Sequence, residues 1–244
     1  MQRMNLYKWL VLIWCAQQSW CLSACERPTF VATSLQALQS SGVKIHSTQR
    51  QHPADKALCV YAASWIEPTD PSSIGFYVAT YFKQNAQKNA ELRSSIANEQ
   101  LWFDPTIEIL PTKFDIHPTA KAFAVAITWE FLAGTYSQTT SQLQLLTLKD
   151  DSQLQRVLSL PVQEIFQYRN CPELCETGAQ GQICKVVCEG EDSQTVRELV
   201  VGKGQQQGYR DIWVTTTKSR VDAKQWTEQY KQRYFWHGAD YRKE

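Results

Sequence analysis

From Ala122 onward the chain is a succession of short segments rich in β-branched and aromatic residues, each closed by a polar turn. That rhythm constrains the fold more than any other feature, because alternation at period two builds half-buried strands and the short turns leave antiparallel neighbours as the simplest pairing. Ala122 to Leu132, Leu143 to Leu148, Leu154 to Leu160 and Val162 to Tyr168 read as one meander, and Thr195 to Val201, Asp211 to Thr217 and Gln232 to His237 as three further strands. The expected fold is mainly β: an antiparallel meander or sandwich-like sheet over 106–244, a smaller mixed region over 25–105, and a leader over 1–24.

The mixed region is punctuated differently. Residues 33–41 predict a short helix, with Leu35 and Leu38 on one face and Gly42 as the stop. Cys59 to Ile66 reads as a strand ended by the breaker run Glu67-Pro68-Thr69-Asp70-Pro71-Ser72-Ser73, and Ile74 to Phe82 as the next. The polar stretch Lys83 to Gln100 predicts an exposed helix or a surface excursion. Gly202 to Gly208 predicts a flexible turn. It is not a phosphate loop, since Gly204 follows Lys203 where a Ser or Thr opening a helix is needed.

The cysteines add a framework. Cys171, Cys175, Cys184 and Cys188 follow C-x3-C-x8-C-x3-C, symmetric about the point between Ala179 and Gln180 and flanked there by Gly178 and Gly181. Folding the segment at that turn sets Cys171 opposite Cys188 and Cys175 opposite Cys184, so two nested disulfides are expected. A four-thiolate zinc site is the alternative, but zinc ribbons use two intervening residues within a pair, and no metal or other cofactor is expected.

Cys25 and Cys59 depend on how the leader is removed. Arg3 and Lys8 precede the apolar run Trp9 to Ala16, and small residues follow at Leu22-Ser23-Ala24-Cys25, the three-part order of a secretory signal. The run is far shorter than the roughly 20 residues that span a bilayer as a helix. Leu-Ser-Ala-Cys also resembles a bacterial lipobox, in which cleavage precedes Cys25 and its sulfur carries lipid. Two readings therefore stand: a lipid-anchored protein with Cys59 unpaired, or a soluble one, cut after Ser23 or Ala24, with a third disulfide from Cys25 to Cys59.

Loss of the leader takes Arg3 and Lys8 and no acid, leaving 23 basic and 24 acidic side chains. A chain without a basic surplus is a poor match for nucleic acid, whose binding rests on phosphate neutralisation. Catalytic signatures are equally scarce. Gly-x-Ser-x-Gly and His-Glu-x-x-His are absent, Ser41-Gly42-Val43-Lys44 lacks the partner motifs of penicillin-recognising enzymes, and His46, His52, His117 and His237 are scattered. His46 and His52, with Asp55, read as a polar surface loop. The aromatic series Trp226, Tyr230, Tyr234 and Trp236 is the candidate recognition surface, because Trp and Tyr near Arg anchor interfaces; burial of the same side chains in a terminal strand is the competing reading.

The order KAFAVAITWEF, SQLQLLTLKDDSQLQRVLSL, ICKVVCEG, TVRELVVG, GYRDIWVTT and RYFWHGADY, spanning roughly Asp115 to Tyr241, resembles a class of uncharacterised exported proteins of Gram-negative bacteria. The resemblance implies an envelope β-protein and no particular chemistry. The expected function is a non-catalytic binding or structural role in the cell envelope, in the periplasm, toward an unknown protein or cell-wall component. An inhibitor or immunity protein against a cell-wall hydrolase, and a hydrolase with dispersed residues, are the alternatives.

Overall fold

A computed structural model describes residues 25, 27–97, 103–120, 122–132, 136–149, 153–168, 192–220 and 227–244, and the backbone of 173–178 and 181–186. Helix α1 (Thr29–Ser40) places Val31, Leu35 and Leu38 on one buried face. Its end is set by Gly42 at φ 77°: the Gly42 N–H reaches the Gln39 carbonyl at 3.1 Å and the Val43 N–H the Leu38 carbonyl at 3.2 Å. That bond pair is a Schellman cap, and a glycine takes its left-handed position without a Cβ penalty.

Four strands follow as a meander: β1 (His46–Gln51), β2 (Leu58–Glu67), β3 (Asp70–Phe82) and β4 (Lys88–Ala97), paired antiparallel in that order. β2 is buried along both faces over 58–65, which turns a half-buried alternation into a continuous apolar run. Its odd positions Cys59, Tyr61, Ala63 and Trp65, with Tyr77, Ala79 and Tyr81 of β3, pack under α1. Leu58, Val60, Ala62, Ile74, Phe76 and Val78 point the other way and meet a second sheet.

That second sheet has eight strands, ordered β14-β13-β12-β11-β8-β7-β6-β5. They are β5 (Thr106–Ile109), β6 (Ala122–Leu132), β7 (Tyr136–Lys149), β8 (Gln153–Tyr168), β11 (Ser193–Gln206), β12 (Tyr209–Arg220), β13 (Thr227–Trp236) and β14 (Tyr241–Lys243). Between β8 and β11 a two-stranded ribbon pairs β9 (Glu173–Gly178) with β10 (Gly181–Val186). One face of β6–β8, carrying Phe123, Val125, Ile127, Leu146 and Leu148, covers the four-stranded sheet. The opposite face, carrying Ala124, Leu145, Val157 and Leu160, is covered by Ile212, Val214, Trp236 and Tyr241 from the far end of the same sheet.

The eight-stranded sheet therefore folds over on itself, and β8 holds the corner. β11 pairs with β8 only from Ser193↔Phe166 to Val196↔Gln163. Beyond that point lies Pro161, which has no N–H to donate to a ladder and sits beside an irregularity in the β7–β8 register. Arg197 bridges the corner, donating to the Pro161 carbonyl at 3.0 Å and to Glu164 at 2.6 Å.

The fold is thus mainly β, antiparallel and sandwich-like, with one helix among the described residues. Several local expectations are corrected. The polar stretch after Lys83 forms strand β4 instead of a helix or excursion, with Ala90 and Ile96 buried at period two. His46 opens β1, and His52 is buried instead of lying in a surface loop. Leu154 to Leu160 and Val162 to Tyr168 are one strand. Gly202 to Gln206 continues β11, leaving only Gln207 and Gly208 as the turn. The boundary expected at 105/106 falls between the two sheets, which share a core across it.

Candidate functional site

Where the sheet closes over itself, the ends of four strands leave a cavity of about 280 Å³ lined by Thr147, Leu148, Gln155, Gln207, Tyr209, Trp236, Gly238 and Ala239. Thr147 and Leu148 come from the end of β7 and Gln155 from the start of β8. The β11–β12 hairpin supplies Gln207 and Tyr209, and the end of β13 with its following turn supplies the rest. Backbone bonds hold these pieces: the His237 N–H meets the Asp240 carbonyl at 2.8 Å, and the Arg210 N–H the Ile116 carbonyl at 2.7 Å. Gln155 Nε2 donates to the Ala239 carbonyl at 2.8 Å, latching β8 to the β13–β14 turn.

The wall is aromatic and rigid. Tyr209 lies between two rings, stacked on Trp236 at 3.8 Å and 10° and against His117 at 4.5 Å. Tyr241 meets Trp236 edge-on at 5.4 Å, and its hydroxyl donates to the Arg210 carbonyl at 2.7 Å. Burial, with smaller contributions from Tyr209 and Asp211, pushes the Tyr241 hydroxyl well above its ordinary pKa. His117 Nδ1 accepts from the Thr119 N–H at 3.2 Å. The imidazole thereby fixes the loop behind the aromatic wall.

Next to this wall Asp211, 2% exposed, is held by Arg233, whose Nε and Nη2 lie 3.0 and 2.9 Å from Oδ2. Hydrogen bonding and attraction to Asp211 raise the Arg233 pKa further. None of the lining side chains carries a formal charge, and two of the eight are primary amides. Such an arrangement can hold and orient a neutral molecule through paired donors and acceptors.

The residues singled out in the sequence are distributed unevenly. Trp236 lines the cavity as a 4% exposed core residue stacked on Tyr209, the buried placement of the competing reading, and not as part of an exposed aromatic surface. Tyr234 is half-buried against the same core, and Tyr230 is half-buried with Lys218 Nζ 5.8 Å from its ring. Trp226 lies outside the described residues. Cys25 and Cys59 form a disulfide across 34 residues. Cys175 and Cys184 are register partners in the β9–β10 ribbon, while Cys171 and Cys188 lie outside the described residues.

Other motifs take structural roles. Ser41 Oγ donates to the Leu38 carbonyl at 2.8 Å as part of the helix end. His52 Nδ1 accepts from the Ala54 N–H at 3.1 Å, and its ring packs on Phe123. Among the described residues, no three His, Cys, Asp or Glu side chains converge as metal ligands, and no helix is long and apolar enough to cross a membrane.

Thr147, Gln155, Gln207 and Tyr209 escaped the sequence reading. Only Gln207-Gly208 carried a signal, a two-residue hairpin turn with φ of 53° and 83°, the left-handed pair that such hairpins require. Comparison with protein-family models, with curated proteins and with solved structures finds no match.

Proposed function

We propose that this chain is an exported, non-catalytic binding protein of a Gram-negative cell envelope, acting in the periplasm on a protein or cell-wall component. The observation that carries the proposal is the Cys25–Cys59 bond, which ties the first described residue to a fully buried position of β2. Disulfides form and persist in oxidising compartments such as the periplasm. A sulfur engaged in that bond has no valence left for a lipid thioether, which favours cleavage after Ser23 or Ala24 over the lipobox reading. The leader, the nested spacing of the other four cysteines and the resemblance to exported β-proteins support the same address. Binding is supported by the uncharged, rigid-walled cavity, which offers hydrogen-bonding groups and a preorganised shape.

Co-sedimentation tests this reading. Mature protein is mixed with isolated cell-wall sacculi and, separately, with envelope membranes containing their proteins. Retention by either, lost on competition with excess unlabelled protein, is the expected result; absence of retention by both overturns the binding role.

A further inference from the structure

We propose that the cavity between the β11–β12 and β13–β14 turns is a sugar site, taking one uncharged, polyhydroxylated ring. The inference rests on the binding reading above and gives it a ligand class.

Charge is the first discriminator. The cavity lining carries no ionised side chain, and the nearby Arg233 is paired to Asp211 and Glu244. A phosphate, carboxylate or ammonium entering here would lose water without gaining a counter-charge. Size is the second. At about 280 Å³ the site lies at the lower edge of ligand cavities, roughly 300–1,000 Å³, so it holds one ring, free or at the end of a chain.

Hydrogen-bond chemistry is the third. Each hydroxyl of a polyol both donates and accepts, and a primary amide is the side chain that answers both at once. Gln155 is already oriented by its bond to Ala239. Flat aromatic ligands fit less well, because both faces of Tyr209 are covered by His117 and Trp236. Ala239 is left to meet the C–H groups of the ring.

Gln207 points the same way from backbone geometry. It holds φ at 53° without being glycine, although Gly, Asn or Asp is the preferred residue at that turn position. Such backbone strain concentrates at ligand sites, where the side chain justifies the conformation. Gln207 is exposed at the cavity rim, so its amide is placed to meet an incoming hydroxyl.

The test uses mature, disulfide-intact protein and ¹H–¹⁵N correlation spectra, titrated with glucose, galactose, mannose and N-acetylglucosamine, their methyl glycosides, and glucuronate and glucosamine as charged counterparts. At least one neutral sugar should shift the resonances of Gln207, Gly208, Tyr209, Gly238 and the Trp236 indole, with each charged counterpart at least about tenfold weaker. Binding of the methyl glycoside assigns the end of a glycan chain, and its loss assigns a free sugar.

Gln207→Gly relieves the left-handed backbone, so it should fold at least as stably as the parent while weakening the sugar by about tenfold, the scale of one lost hydrogen bond. The proposal is overturned if no neutral sugar moves these resonances, if charged and neutral rings bind alike, or if Gln207→Gly binds as the parent does. Retention by sacculi or membranes together with silence toward every sugar would remove the ligand class and leave the binding role standing.

Discussion

Gly75 sits opposite Trp65 across the β2–β3 pair, and the indole lies directly over it. A Cβ built at Gly75 would stand 2.3 Å from Trp65 Nε1, 2.4 Å from Cε2 and 2.3 Å from Glu67 Oε1. Glu67 can swing aside. Trp65 cannot, because it is fully buried beneath α1 and Arg93 lies 5.3 Å over its ring. Carbon contacts are comfortable at roughly 3.5–4.0 Å, so Gly75→Ala must move the indole by more than about 1 Å.

Overpacking of that kind costs about 1–3 kcal/mol, and the loss of glycine freedom in the unfolded chain returns about 0.4–1 kcal/mol. The net destabilisation expected is about 1–2 kcal/mol, which at about 2–4 °C per kcal/mol is a fall in Tm of about 2–8 °C. Urea unfolding followed by far-ultraviolet circular dichroism measures it, provided the m value is unchanged. The cause is isolated by repeating Gly75→Ala in a Trp65→Val background, where the obstructing ring is gone. There the substitution should be neutral or stabilising by up to about 1 kcal/mol. Equal destabilisation in both backgrounds would refute the assignment of the clash to Trp65.

Three further outcomes follow from the same geometry. Replacing Cys25 and Cys59 with Ser opens a loop of 34 residues, and loop-closure entropy puts the loss at about 4 kcal/mol, read as a lower urea midpoint in the variant. Gln144 is fully buried and neither of its amide atoms has a partner among the described residues; Gln144→Met should therefore stabilise the fold by about 1–3 kcal/mol, measured by thermal unfolding. Burial raises the Glu91 pKa, but Lys88 and the Tyr77 hydroxyl, both at 2.7 Å, outweigh it and leave the carboxyl below its usual 4.5. A depressed native pKa contributes stability above the unfolded value that is lost as pH falls, so the urea midpoint should drop between about pH 5 and pH 3, with a shallower slope in Lys88→Met.

The strand succession from Ala122 was legible because its apolar residues alternate and its turns are polar, and the β6 limits Ala122–Leu132 match the sequence pattern. The α1 stop was legible because Gly42 is the only residue type that caps without strain. β4 was hidden by composition: Lys, Asn, Glu and Arg on its open face mask the buried positions Ala90 and Ile96. The corner at Pro161 looked like a strand boundary, since a proline ends a ladder on one side while leaving the chain extended.

The cavity was not legible at all. Its residues are drawn from Thr147 to Ala239 and meet only because the eight-stranded sheet doubles back. Glutamine and threonine are ordinary on strand ends, so nothing in their spacing distinguishes a lining residue from a solvated one. Trp236 was conspicuous as an aromatic near the end of the chain, yet which face of β13 it occupies depends on register with β12, set by Ile212↔Tyr234 and its neighbours. The Cys25–Cys59 bond was legible as one of two alternatives, from the even count of cysteines left by a soluble cleavage, and the structure selects it.

Intact mass of the mature protein recovered from the producing cells, before and after thiol alkylation, bears most directly on an exported chain clamped through Cys25. The expected spectrum shows a polypeptide beginning at Ala24 or Cys25, with no acyl mass, and no alkylation of Cys25 or Cys59 until a reductant is added. A diacylglyceryl thioether on Cys25, or a retained leader with both thiols free, would contradict it.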